Sequence, residues 1–298
     1  MARTFSIVTT CKGRLDHLKA MLPKMVAQRT HEVIVVDYSC PEGAFEFVAA
    51  NFPAVRVVSV EGEKHFSNWK ARNAGASAAA ADVLVFVDAD TNLADGAIEW
   101  LAENLPGEAY GFFDRKTSSS FSRDGPRLAA NQLKGFHVIP AEAFRRAGGY
   151  DEVLQGYAAG ADTDLEERLL RIGLAKHVLD PRIIESVIQH DAASRTEHHA
   201  QPIRMSYGAG LLYRAAKRVL LRTGGAVELP LRSRQQLYDA AIKAMSALRP
   251  GRDRVSLEVM LGQDAVLMPR QLGYESGVQT ISFRVEVSLQ GKLSKIPE

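Results

Sequence analysis

Residues 83–92, VLVFVDADTN, carry a run of apolar residues into two aspartates, Asp88 and Asp90, separated by one alanine. Side chains two apart on an extended segment face the same way, so both carboxylates are expected to point into one place. Two close carboxylates repel unless a proton or a cation lies between them. A hard divalent ion, Mg2+ or Mn2+, takes oxygen ligands and can bridge to phosphate oxygens. A hydrophobic strand ending at the pair would fix it at the mouth of a sheet. Asp37 has a similar setting, after EVIVV, as a strand-end acceptor suited to N–H or hydroxyl donors. Asp162 and Asp164 stand in ADTD ahead of a helical pattern, where carboxylates also serve as helix caps.

The elements that must position these groups are legible along the chain. FSIVT (5–9), EVIVVD (32–37), VRVVSV (55–60) and DVLVFVD (82–88) are short and β-branched. Their apolar runs are continuous rather than alternating, which predicts parallel strands covered on both faces, an α/β architecture of nucleotide-binding type. RLDHLKAMLPKMVAQ (14–28) and NWKARNAGASAAAA (68–81) supply crossover helices, the second rich enough in alanine to pack close to the sheet. In open parallel sheets ligands bind beyond the carboxyl ends of the strands, where Thr9, Thr10, Asp37, Asp88 and Asp90 would cluster.

Further on, RKTSSSFSRDGPR reads as loop and KGFHVIP as a strand. TDLEERLLRIG predicts a helix with Leu165, Leu169 and Ile172 on one face, Glu166, Glu167, Arg168 and Arg171 solvated, and Gly173 at its C-cap. A histidine-rich loop (190–202) precedes a long helix over 203–222, whose Arg214, Arg218 and Arg222 recur every fourth residue. VSLEVML (255–261) and ISFRVEVSLQ (281–290) alternate as half-buried antiparallel strands do. They would extend the sheet, form a small hairpin, or pair across a homodimer, since an amphipathic edge strand seeks a partner. Domains are expected over 1–202 and over 203–298, the second a basic helical segment with short strands packed on the first.

Composition excludes several classes. The chain has 298 residues, 46% of them hydrophobic, enough for one large core or two modest ones. No apolar run approaches the ~20 residues that cross a bilayer, and MARTFSIVTT lacks a signal-peptide core, which places the protein in the cytoplasm. Cys11 and Cys40 are the only cysteines, so neither a disulfide framework nor a zinc spacing exists, and buried thiols are expected. The net charge of +2 gives no reason to expect nucleic acid as a partner. Residues 200–254 nevertheless carry 11 Lys or Arg against 3 Asp or Glu, a surface that is either solvated or suited to phosphates or the anionic inner face of a membrane. Neither TTCKGR nor DYSCPEG offers the G-x-G-x-x-G turn of a dehydrogenase. A haloacid-dehalogenase-type phosphatase would need Thr or Val where Asn92 stands.

SIVTTCKGR, EVIVVDYSC, ARNAGASAAAADVLVFVDADT and GGYDEVLQGYAAGADTDLEERLLRIG, in that order over roughly residues 4–200, resemble family 2 of the glycosyltransferases, enzymes of the GT-A fold. The resemblance implies roles residue by residue. Thr9, Thr10 and Arg14 match the segment against the nucleotide base and ribose, and Asp37 the aspartate that contacts them. Arg72, Asn73 and Gly75 match the segment lining the sugar diphosphate. Asp88 would hold ribose or sugar, Asp90 would ligate Mn2+ or Mg2+, and His190 would complete the metal shell. ADTD is similar to the family's E-D-x-D stretch, which makes Asp162 the general base, with Asp164 a rival because Ala161 replaces the usual glutamate. Arg195, His198 and His199 would belong to a lid over the diphosphate.

The implied reaction is inverting transfer of a hexosyl or N-acetylhexosaminyl unit from a nucleotide diphosphate donor, most commonly a UDP-sugar, to a hydroxyl of a saccharide or lipid-linked acceptor in polysaccharide or glycoconjugate synthesis. The 203–222 helix places Leu211 and Leu221 beside its arginines, which suits a membrane surface or a lipid-linked diphosphate, or packing against the C-terminal strands. Ala161 keeps one competitor in view, a non-catalytic sugar-nucleotide or polysaccharide-binding relative.

Overall fold

The computed structural model describes residues 2–113, 133, 135–188, 196–224, 226–248, 254–262 and 280–288. Two compact units result: Met1–Tyr150 with Leu165–His198, and Asp151–Asp164 with His199–Glu298.

In the first unit, β1 (Phe5–Cys11), β2 (Glu32–Tyr38), β3 (Arg56–Val60) and β4 (Val83–Phe86) are the four apolar runs of the sequence. They pair in parallel, β1 against both β2 and β4, and β2 against β3. Three shorter strands, β6 (Ala109–Phe112), β7 (His137–Pro140) and β8 (Ala175–Val178), complete a seven-stranded sheet in the order β3-β2-β1-β4-β7-β6-β8. Only β7 runs against its neighbours, so the sheet is mostly parallel. Every residue of β1 is buried, as continuous apolar patterning requires of a strand covered on both faces.

Helices α1 (Leu15–Val26), α2 (Ala44–Asn51), α3 (Asn68–Ala78), α4 (Ala97–Asn104) and α5 (Ala141–Arg146) connect these strands. Gly75 lets α3 approach the sheet: a Cβ there would lie 2.4 Å from Val8 and 2.9 Å from Val36. Gly75 therefore faces the sheet rather than a ligand, which corrects its assignment to the diphosphate. A separate two-stranded sheet joins β5 (Thr91–Leu93) to β9 (Ile184–Val187).

Helix α6 (Ala161–Arg171) begins in the second unit and continues in the first. Its end bears out the reading of Gly173: the N–H of Gly173 donates to Leu170 and that of Leu174 to Leu169, the paired bonds of a Schellman cap. Arg168 departs from expectation. It is 1% exposed, because Ala161, Asp164, Leu165, Arg168 and Leu169 form the buried stripe, and it donates to the carbonyls of Ala147 and Gly149 just past α5. Satisfying exposed carbonyls at a helix end is what makes a buried guanidinium tolerable there.

The second unit holds α7 (Ile203–Gly224), α8 (Leu231–Ser246) and an antiparallel hairpin of β10 (Arg254–Gly262) with β11 (Thr280–Ser288). The C-terminal strands thus form their own two-stranded sheet, packed on the two helices. The apolar side of α7, including Leu212, Leu220 and Leu221, is buried, while Arg218 and Arg222 are exposed. Among the described residues no helix is long and apolar enough to cross a membrane.

Candidate active site

Parallel strands that end together bring their following residues to one mouth. At the end of β1, Thr9 is fully buried, and the Thr10 hydroxyl donates to Asn68 Oδ1 on α3 at 3.2 Å. Lys12 follows, 6% exposed, with Nζ donating to the carbonyls of Tyr38, Ser39 and Glu63 at 3.2, 2.9 and 2.7 Å. One ammonium thereby ties together the loops that leave β1, β2 and β3, a role no sequence pattern announced. Arg14 Nη1 meets His17 Nδ1 at 3.5 Å. His198 returns to the same mouth: its carbonyl accepts from the N–H of Phe66 at 2.7 Å, and its ring lies against Gly13.

At the end of β2, Asp37 is nearly buried and accepts backbone N–H bonds from Cys40 at 2.7 Å and Phe45 at 3.0 Å. Its carboxylate shapes the loop into α2, and its remaining lone pairs are the acceptor capacity left for a ligand. Cys11 and Cys40 lie side by side with sulfurs 3.8 Å apart, both reduced. The neighbouring Cys11 thiol, with backbone N–H groups including that of Gly13, holds the half-buried Cys40 down at about 6, and the same contact pushes Cys11 up.

Asp88 and Asp90 lie just past β4, but not on extended backbone. The chain turns at Ala89 and Asp90, and the N–H of Thr91 closes on the carbonyl of Asp88 at 3.0 Å. The alternation argument for co-directed side chains therefore fails, because the segment must double back to start β5. Both aspartates are half-buried. Asp90 accepts from the Thr91 hydroxyl at 3.3 Å. Asp88 Oδ1 accepts from Arg72 at 2.7 Å, and its side chain keeps 35% exposure against 1% for Arg72.

Arg72 reaches the site through Asp88. Its other contacts are the Gly135 carbonyl and the Tyr150 hydroxyl, at 2.5 and 3.1 Å, with the rings of Phe86 and Tyr150 flanking the guanidinium at 5.5 and 5.6 Å. Asn73 pins the backbone of Tyr150 in both directions, each bond 2.9 Å. His137 Nδ1 lies 2.9 Å from the Tyr150 hydroxyl. Burial, with Arg72 nearby, holds His137 down to about 3, so its imidazole is neutral. Gly135 admits Asp88: a Cβ there would stand 1.7 Å from the carboxylate. Gly135, His137 and Tyr150 escaped the sequence reading because they come from segments whose polar residues carry no spacing signal.

In the second unit, Asp162 is half-buried and Asp164 buried in the first turn of α6. Lys217 Nζ on α7 contacts Asp164 at 2.9 Å, Asp151 at 2.7 Å and Glu228 at 2.7 Å. Arg234 on α8 donates to Asp151 at 2.6 Å, and Tyr213 also donates to it. Burial opposes the charge on Asp151, yet Lys217 and Arg234 outweigh it and hold the carboxyl well below the usual range. Asp151, Asp164 and Glu228 are close enough to share a cation, and the Lys217 ammonium takes that place. Lys217, counted in the basic segment as surface charge, is thus internal, and Arg234 is turned inward on to Asp151 while staying partly exposed. His190 and Arg195 lie outside the described residues.

The profile of Glycosyl transferase family 2 matches residues 6–148. A search of curated protein sequences finds no match. Among solved structures, the mannosyltransferase PcManGT from Pyrobaculum calidifontis, in complex with GDP-Man and Mn2+, is 16% identical, with a TM-score of 0.52 over 84% of this chain and 76% of that one. S. aureus TarS 1-349 in complex with UDP-GlcNAc is 13% identical, with a TM-score of 0.56 over 83% of this chain and 74% of that one. At these identities the likeness is one of fold.

Proposed function

Given that residues 6–148 match glycosyl transferase family 2 and lie in an α/β sheet of that kind, we propose that the chain transfers a sugar from a nucleotide diphosphate donor to an acceptor hydroxyl. The observation that carries the reading is the placement of Thr10 and Asp37 in the last residues of β1 and β2, and of Asp88 and Asp90 just past β4, all at the carboxyl ends of parallel strands in one sheet. Ligands of open parallel sheets bind there.

Thr10, Arg14 and Asp37 bind the base and ribose above the buried Thr9, and Asp37 offers the lone pairs its backbone donors leave. Asp88 accepts from ribose or sugar hydroxyls on the side that Arg72 does not take, and Asn73 acts with Arg72 by fixing the loop at Tyr150. Asp90, a half-buried carboxylate, is the hard oxygen donor that Mn2+ or Mg2+ takes, with His190 as its partner in the ligand set. The buried acidic cluster does not fit that ion, because the Lys217 ammonium already occupies the place between its three carboxylates. The ion, when bound, supplies positive charge to the leaving diphosphate. Arg195 adds to that charge.

Asp162 is the general base. The acceptor oxygen attacks the anomeric carbon opposite the diphosphate and gives its proton to Asp162 as the carbon–oxygen bond to phosphate breaks, inverting the centre. Asp164, held by Lys217, is the less suited of the two, since accepting a proton would break a buried ion pair. The donor is a UDP-sugar carrying a hexose or N-acetylhexosamine. The acceptor is a saccharide or lipid-linked saccharide, reached at a membrane surface through exposed Arg218 and Arg222.

Thermal stability against UDP-, GDP-, dTDP- and CMP-sugars, each with and without Mn2+, tests the reading. Selective, metal-dependent stabilisation lost in Asp90→Ala supports it, and no shift with any donor overturns it. Donor hydrolysis lowered at least ~100-fold in Asp162→Asn, with donor binding intact, separates an enzyme from a binding relative.

A further inference from the structure

We propose that Tyr150 and His137 are positioning residues of the donor site, holding Arg72, and through it Asp88, in the arrangement that binds the nucleotide sugar. The inference rests on the donor-site reading above and gives a role to two residues to which neither the family resemblance nor the sequence pattern assigned one.

A guanidinium only donates, so in the 3.1 Å contact with Arg72 Nη1 the Tyr150 oxygen accepts. In the proposed arrangement, the single phenol proton goes to His137 Nδ1, 2.9 Å away, with that nitrogen bare and the imidazole proton on Nε2. Burial of His137, 4% exposed beside the Arg72 cation, selects the neutral ring that makes this possible. Donation runs outward from Arg72, through one guanidinium nitrogen to Tyr150 and on to His137, and through the other to Asp88 and Gly135. Three of the four side chains are buried, and Asp88, the one that is not, ends at the mouth of the sheet. A buried polar chain that terminates on one accessible carboxylate fixes that carboxylate's position. Aromatic flanking by Phe86 and Tyr150 leaves the guanidinium little freedom to compensate if the phenol oxygen is lost.

The test uses the full chain with UDP-GlcNAc and GDP-mannose, each with MnCl2, followed by calorimetric binding. Tyr150→Phe removes only the hydroxyl and is the decisive variant. Binding about tenfold or more weaker, with a melting temperature within a few degrees of wild type, is expected. His137→Leu should weaken binding similarly, and His137→Asn, whose Oδ1 restores an acceptor near Nδ1, should recover most of it. A general loss of packing would not be reversed by that acceptor. Long-range 1H–15N spectra, with the His137 signal assigned by its loss in His137→Asn, should show bare Nδ1 and protonated Nε2. A protonated Nδ1, or wild-type affinity in folded Tyr150→Phe, overturns the proposal. Should wild type bind neither sugar nucleotide while the tautomer is as expected, the donor reading has failed and the positioning role falls with it.

Discussion

At the scale of single residues, the donor site depends on how Asp88 is held as much as on the carboxylate itself. Gly135 provides the sharpest case, because its missing side chain is what lets the carboxylate lie where it does. Gly135→Ala would place a carbon 1.7 Å from that oxygen, and the group that must give way is pinned on its other side by Arg72. The expected outcome is a folded protein whose affinity for its nucleotide sugar drops about tenfold or more, at a stability cost of about 1–3 kcal/mol. Isothermal calorimetry beside urea unfolding checks it, and unchanged affinity would show that Asp88 can move without consequence. The sequence disclosed Asp88 through the apolar run before it. It gave no sign of Gly135, since steric exclusion by a residue 47 positions away leaves no local pattern.

At the scale of elements, strands whose apolar runs are continuous were legible, and elements set by tertiary packing were not. The four parallel strands and the helix starting at Ile203 follow from patterns within a few residues of themselves. Helix α8 went unread because its sequence, LRSRQQLYDAAIKAMS, is polar apart from a thin stripe, with Leu237, Tyr238, Ala241 and Met245 buried. Arg168 and Lys217 were read as surface charge for a related reason: periodicity assigns a face, but a buried cation is decided by the carbonyls and carboxylates it meets. Lys217→Met tests the point within the second unit. Asp151, Asp164 and Glu228 would lose their shared ammonium, and removing one partner from a buried ion-pair cluster costs about 3–5 kcal/mol. Unfolding of this variant should begin at clearly lower urea than wild type. A midpoint unchanged within error would mean the cluster is more hydrated than its burial implies.

At the scale of the whole molecule, two buried titratable groups in different units set opposite ends of an acid-unfolding curve. His137, in the first unit, is neutral when folded and is held down to about 3, against about 6.5 for an unfolded histidine. Below about pH 6.5 the unfolded chain takes up a proton that the folded chain refuses, so stability rises with pH and falls on acidification by up to about 1.4 kcal/mol per pH unit. Asp151, in the second unit, has the opposite kind of group but the same sign: its folded carboxyl is held low by Lys217 and Arg234, so its contribution is complete above about pH 4 and is lost as pH falls further. The urea midpoint should therefore decline in two stages, the first between about pH 6.5 and 4 and the second below about pH 4. His137→Asn cannot titrate and should flatten the first stage alone, whereas Asp151→Asn should lower stability at neutral pH and flatten the second. Parallel curves for wild type and His137→Asn between those limits would mean that the folded state admits a proton at His137, and donation from Tyr150 to His137 would have to be abandoned.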